Sequence, residues 1–207
     1  MTYTTLEIMQ QSKVIPVVVI NHLEDAVPLA NALIEGGLNI LEVTLRTPIA
    51  IDAIKQIKRS VPNAIVGTGT VIDLDTFNAS LEANVDFMVS PGSTDELLNA
   101  VAKQSIPLLP GVNSPSEVMK LMSLGFTEMK FFPAEAAGGV NMLKSIAGPL
   151  PQVTFCPTGG VNLSNAKDYL ALDNVVCVGG TWMLDKQLIA SKNWNEITRL
   201  AKEASEL

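Results

Sequence analysis

The chain has 207 residues, 47% hydrophobic and only 17% charged, which is ample for one large core and leaves less polar surface than a lone monomer displays. A formal net charge of -7 opposes binding to nucleic acid, which needs a basic stripe to release counterions, so any anionic ligand must be held by local features. The longest apolar runs, such as Val14 to Ile20, are far too short to span a bilayer, and Glu7 precedes the first basic residue, Lys13, unlike a secretory leader; a cytoplasmic location is expected.

From residue 14 onward, short β-branched runs alternate with longer amphipathic stretches, and no proline- or serine-rich linker separates two blocks. The pattern predicts strands near 14–20, 39–45, 64–69, 85–89, 106–109, 127–132, 152–156 and 175–179, each followed by a helical segment. Helix starts are expected at Asp75-Thr76, at Ser93-Thr94-Asp95-Glu96 and at Ser114-Pro115-Ser116-Glu117, and helix ends at Gly36-Gly37, Gly125 and Gly148. Eight βα units predict a single α/β domain over residues 1–207, closed as a (β/α)8 TIM barrel at the short end of that fold's range of about 200 residues and upward. A doubly wound open sheet competes with it, but no Gly-x-Gly-x-x-Gly follows the first strand.

In a barrel the reactive groups project from the C-terminal ends of strands, and the unusual polar residues of this chain fall there. On the second strand Glu42, Thr44 and Arg46 share one parity and Leu41, Val43 and Leu45 the other, so a polar set spanning roughly 13 Å faces one side. Lys130 ends a short apolar run on the sixth strand, where Phe131 and Phe132 disfavour the ammonium form; a lysine in such surroundings is a candidate Schiff-base amine. An amine, a carboxylate to carry protons and a guanidinium to clamp an acid together suggest carbon–carbon chemistry. Glu42 and Arg46 alone would serve equally as a buried ion pair that merely fills the barrel.

Thr68 and Thr70, in Gly67-Thr68-Gly69-Thr70, end the third strand, where hydroxyls and free N–H groups would hold a carboxylate beside Arg46; the same motif also reads as a tight βα connection. The seventh and eighth strands both end in a glycine pair with a threonine alongside, Thr158-Gly159-Gly160 and Gly179-Gly180-Thr181. Glycines let backbone approach a ligand, N–H groups at a helix start attract an anion, and these two loops are the usual phosphate site of such barrels. A phosphorylated substrate therefore suits this acidic chain. The only histidine, His22, reads as a helix-start or surface residue, and no metal site is expected. Cys156 and Cys177 read as buried reduced thiols, Met119, Met122 and Met129 as core filling, and Trp182 and Trp194 as packing or interface residues.

The segments from Gly37 through Glu42-Val43-Thr44-Leu45-Arg46, and from Gly125 through Met129-Lys130-Phe131-Phe132-Pro133-Ala134 to Gly138, resemble the two signature segments of the 2-keto-3-deoxy-6-phosphogluconate aldolase family, which also includes 4-hydroxy-2-oxoglutarate aldolase. The resemblance extends through Ile15-Pro16-Val17-Val18, Val66 to Val71, Ser90-Pro91-Gly92, Ile106 to Gly111 and Phe155 to Gly160. It implies a TIM barrel, a homotrimer, and class I catalysis without metal or organic cofactor. By position it implies Lys130 as the Schiff-base lysine, Glu42 as acid and base, and Arg46 with Thr70 as binders of the pyruvyl carboxylate. Phe132 would wall the site, Pro91 and Thr158 would line it, and Gly159, Gly160, Gly180 and Thr181 would hold the phosphate. Thr181 stands where close relatives are expected to carry serine, which keeps a hydroxyl, and Val19 stands where some relatives carry an arginine.

A related branch acts on the galactonate epimer; Arg46 and Phe132-Pro133-Ala134-Glu135 favour the gluconate branch, although epimer preference rests on few contacts. The implied reactions are cleavage of 2-keto-3-deoxy-6-phosphogluconate to pyruvate and glyceraldehyde 3-phosphate, and of 4-hydroxy-2-oxoglutarate to pyruvate and glyoxylate. A phosphate-binding isomerase or epimerase on the same barrel is the rival from another reaction class, and a non-catalytic sugar-phosphate sensor the rival outside catalysis.

Overall fold

Val14–Val18 (β1), Ile40–Thr44 (β2) and Ile65–Gly69 (β3) are buried along their whole length, as parallel strands covered on both faces should be. Phe87–Val89 (β4), Leu108–Leu109 (β5), Gly111–Val112 (β6), Glu128–Phe131 (β7), Thr154–Pro157 (β8) and Val178–Gly180 (β9) continue the series in the computed structural model, which describes residues 3–207. The helices are Thr5–Met9 (α1), Ala26–Glu35 (α2), Ala50–Ser60 (α3), Leu74–Glu82 (α4), Asp95–Val101 (α5), Pro115–Ser123 (α6), Gly139–Ala147 (α7), Ala166–Leu170 (α8), Lys186–Ala190 (α9) and Trp194–Ser205 (α10).

Every paired strand runs parallel to its neighbour. One curled sheet has the order β5-β4-β3-β2-β1-β9, and a second has β6-β7-β8. The fifth strand, predicted near 106–109, is present only at Leu108–Leu109, and the unpredicted β6 follows beyond Pro110, whose nitrogen has no hydrogen to donate to a ladder. Pro110 still accepts: its carbonyl takes the Lys130 N–H at 2.9 Å. On the other side, single bridges Phe155↔Val175 and Thr158↔Gly179 join β8 to the β9 segment. The eighth predicted strand is correspondingly short, with Val175 contributing only a bridge.

Strand parity sorts the core into two sets. Val14, Leu41, Val43, Val66, Met88, Leu108, Met129 and Phe131 face the helices and pack with Leu29, Leu33, Ile54, Phe77 and Leu143. Ile15, Ile40, Ile65, Phe87, Val89, Leu109, Cys156 and Cys177 face the concave side, where Ile8 and Met9 of α1 join them near the first residues of β2 and β3. Both thiols are free and buried, and the Cys177 thiol is pushed well up by its hydrogen bond with Cys156, then by burial, so it stays protonated.

Two of the three predicted helix starts hold: Thr94 caps α5, and Ser114 with Glu117 forms a capping box on α6. The third is displaced, because Asp73 caps α4 by accepting from the Thr76 N–H, so Asp75 and Thr76 lie inside the first turn. Met119 is also not core: it is 60% exposed, since Val118 and Leu121 form the inward stripe of α6. Met122 is half-buried and Met129 fully buried, as expected of filling residues.

Candidate active site

Ile40, Glu42 and Thr44 share the concave side of β2. Thr44 satisfies its hydroxyl on the Val18 carbonyl at 3.0 Å, and Glu42 is left to find a partner in the interior. On β7 the apolar Met129 and Phe131 go to the helix layer, which turns Lys130 inward. Its Nζ donates to Glu42 Oε1 at 3.0 Å and Oε2 at 3.3 Å, with both side chains about 5% exposed. The same Nζ stands 5.5 Å from the centroid of the Phe132 ring.

Glu42 has room only because residue 69 is glycine: a Cβ there would overlap the carboxylate. This requirement is missed when Gly67-Thr68-Gly69-Thr70 is read only as a turn, although a glycine within a strand is itself a sign of close approach. Thr68 faces away from the concave side, and its buried hydroxyl has no partner among the described residues, so it does not join the site. Thr70 does. It sits at φ 63, and its Oγ1 accepts from Arg46 Nε at 3.3 Å. Arg46 itself is exposed at the rim, which leaves its terminal nitrogens for a carboxylate.

Pro91 lies against the strand segment paired with Lys130: a Cβ on Gly111, the register partner of Lys130, would strike the Pro91 backbone. Thr158 follows β8, is 6% exposed, and donates to the Cys156 carbonyl at 3.4 Å. Gly179 makes space for that threonine. Gly159 and Gly160 adopt φ +98 and +80, the left-handed region that glycine tolerates. The N–H groups of Gly160 and Thr181 find no acceptor among the described residues.

Two expectations about the glycine loops need correction. The space over Gly180 is not open to a ligand, because the Trp182 ring fills it. Nor does the start of α9 present free amides: Asp185 accepts from Gln187 N at 2.8 Å and Leu188 N at 3.0 Å, so a carboxylate already occupies that helix end. His22 precedes a short 3-10 turn without making a side-chain cap, an exposed position at the β1 exit. Val19 is also partly exposed there and offers no charge.

Chemically, the arrangement pairs one amine with one carboxylate in a largely apolar interior. Two charges so buried are costly unless closely paired, and passing the proton from nitrogen to oxygen leaves a nucleophile beside its own acid.

A family model described as KDPG and KHG aldolase matches residues 6–200. The KHG/KDPG aldolase of Escherichia coli K12 is 49% identical over 199 residues, covering 96% of this chain and 93% of that protein. A KDPG aldolase from Legionella pneumophila, solved with pyruvate captured at low pH as a covalent carbinolamine intermediate, superposes with a TM-score of 0.97 at 49% identity, covering 99% of this chain and 100% of that one. The 2-keto-3-deoxy-6-phosphogluconate aldolase of Zymomonas mobilis ZM4, solved with 3-phosphoglycerate, gives a TM-score of 0.91 at 45% identity over 99% of this chain and 96% of that one. With a buried lysine–glutamate pair on its concave side and this likeness along nearly its whole length, the chain belongs to the KDPG and KHG aldolase family.

Proposed function

We propose that this chain is a class I aldolase that cleaves 2-keto-3-deoxy-6-phosphogluconate to pyruvate and glyceraldehyde 3-phosphate, and 4-hydroxy-2-oxoglutarate to pyruvate and glyoxylate as a second activity. The observation that carries this reading is the Lys130 Nζ held 3.0 Å from Glu42 in a largely apolar interior.

In this reading the neutral Lys130 amine attacks the C2 ketone and forms a C–N bond. Glu42, having taken the ammonium proton, returns it to the departing hydroxyl; water leaves and an iminium remains. The Glu42 carboxylate then removes the C4 hydroxyl proton, the C3–C4 bond breaks, and its electron pair moves into the iminium to give an enamine while the aldehyde departs. Glu42 hands the proton to C3, and hydrolysis frees pyruvate and regenerates the amine. The pyruvate carbinolamine held by the Legionella pneumophila enzyme corresponds to the last covalent species on this route, formed when water adds to the pyruvyl iminium before release. The lysine supplies the electron sink, so neither metal nor organic cofactor has a part.

Arg46 and Thr70 are assigned the pyruvyl carboxylate, since they already share a hydrogen bond at the rim. Phe132, Pro91 and Thr158 line the keto acid, and the Gly159-Gly160 turn with Thr181 takes the phosphate through backbone N–H groups. We further assign residues 1–207 to one closed (β/α)8 barrel domain. Leu108 to Val112 touches both sheets and the Thr158↔Gly179 bridge spans the opposite seam, which supports a ring of eight rungs. Low charge and the exposed Ile72, Met119 and Leu124 support a homotrimer, and the free thiols of Cys156 and Cys177 suit a reducing, cytoplasmic setting.

Borohydride reduction in the presence of pyruvate tests the chemistry. The expected result is a pyruvate-derived adduct on Lys130 with loss of activity; an unmodified Lys130 dismisses the imine route.

A further inference from the structure

Glu135 and Tyr169 have no part in the aldol chemistry, yet they meet behind the phosphate turn. After Phe132-Pro133 the chain runs along the exit of β8: Ala134 N donates to the Thr158 carbonyl at 2.8 Å, and Glu135 N to the Gly159 carbonyl at 3.0 Å. The Glu135 stem then lies across Gly160, where an added Cβ would come within 2.5 Å of Glu135 Cγ and 2.7 Å of its Cβ. Its carboxylate end lies over Gly139, the first residue of α7, 3.3 Å from where a Cβ would stand. There it accepts a hydrogen bond from the Tyr169 hydroxyl of α8. The Tyr169 side chain is fully buried and Glu135 is otherwise exposed, and among the described residues the hydroxyl is the one side-chain anchor of that carboxylate.

Burial first, and the bond to Glu135 second, push the Tyr169 hydroxyl well above the ordinary tyrosine range, so it remains a donor throughout the physiological range. Two consequences follow for the turn. The stem over Gly160 fixes a glycine pair at φ +98 and +80 that would otherwise sample several shapes. The anchor also keeps a negative carboxylate over Gly139 instead of near the Gly160 N–H, where it would compete with an arriving phosphate.

We propose that Tyr169 and Glu135 form a latch that holds the Gly159-Gly160 turn in its anion-binding shape, with Tyr169 a positioning residue acting through Glu135. The inference rests on the aldolase reading above, because it takes this turn as the phosphate site. It makes phosphate recognition separable from imine chemistry.

The test compares wild type with Tyr169→Phe, Glu135→Ala and Glu135→Gln in two assays: steady-state cleavage of 2-keto-3-deoxy-6-phosphogluconate, and exchange of pyruvate methyl protons with deuterated water, which involves no phosphate. Tyr169→Phe and Glu135→Ala are expected to raise KM for the phosphorylated substrate about tenfold while kcat and pyruvate exchange stay within about twofold of wild type. Glu135→Gln keeps a carbonyl for the Tyr169 hydroxyl and is expected to retain a near-normal KM. Should Tyr169→Phe fail to fold, the exposed Glu135→Ala carries the comparison. An unmoved KM with normal exchange removes the latch alone, as does an equal loss in both assays, which marks a general structural role. A wild-type protein that neither cleaves nor exchanges removes the aldolase reading and the latch with it.

Discussion

Arg46 Nε donates to the Thr70 hydroxyl at 3.3 Å, and Thr70 reaches that position with its backbone at φ 63. A β-branched residue enters this region at a cost of about 1–3 kcal/mol, and such strain collects where a side chain must be aimed. Here it aims the hydroxyl from the end of β3 at a guanidinium from the end of β2.

Replacing Thr70 with glycine separates strain from function. Relief of the left-handed strain offsets the greater freedom of the unfolded chain, so the unfolding free energy should change by less than about 1 kcal/mol. With its partner gone, Arg46 loses orientation, and KM for the keto acid should rise about tenfold. Urea unfolding and steady-state kinetics read the two effects; a large loss of stability with an unchanged KM would make Thr70 structural.

Gly69→Ala puts a methyl group where the Glu42 carboxylate now lies. Overpacking of this kind costs about 1–3 kcal/mol and displaces the acid from Lys130. Turnover should drop by about 100-fold or more, out of proportion to the stability change, because the proton carrier is moved and not removed. Wild-type turnover in a folded Gly69→Ala protein would show that the carboxylate has freedom to move.

Glu42→Gln retains shape and hydrogen bonding but carries no proton. A fall in kcat of about 10²- to 10⁴-fold is expected with the fold preserved by circular dichroism. Near-normal rates would take Glu42 out of acid–base duty and leave it a structural partner of Lys130.

In solution the protein should scatter light with three times the 22.1 kDa chain mass. Placing a charge at Ile72, now 52% exposed, should lower that mass if Ile72 lies within an interface between copies. A monomer mass for the unaltered protein would end the trimer assignment.

Much of this site is legible in the residues because it is built from period-two patterning. Alternation on β2 fixes which side Glu42 and Thr44 face, and the apolar Met129 and Phe131 on either side of Lys130 fix its direction. What escapes such reading depends on contacts far along the chain. The bond from Tyr169 to Glu135 joins residues 34 apart, and nothing local to either announces it. The Trp182 ring over Gly180 turns a seemingly ligand-facing glycine into a packing requirement. The displaced start of α4 has a local cause: both Asp73 and Asp75 are competent caps, and only the backbone geometry chooses Asp73. Met119 shows the limit of composition, since a methionine near Val118 and Leu121 has the chemistry of a core residue but points outward on the helix.

Ile8 and Met9 of α1 lie 1% and 0% exposed against the concave cluster, near the first residues of β2 and β3. On the closed-barrel reading the helix acts as a stopper at that end and leaves reactants the door beside Arg46 and the glycine turn. On the aldolase reading, incoming sugar acid and both outgoing fragments must pass through it in sequence. The tether to Lys130 then sets the order of departure: the phosphorylated aldehyde clears the doorway first, and pyruvate follows only after water has cut it loose.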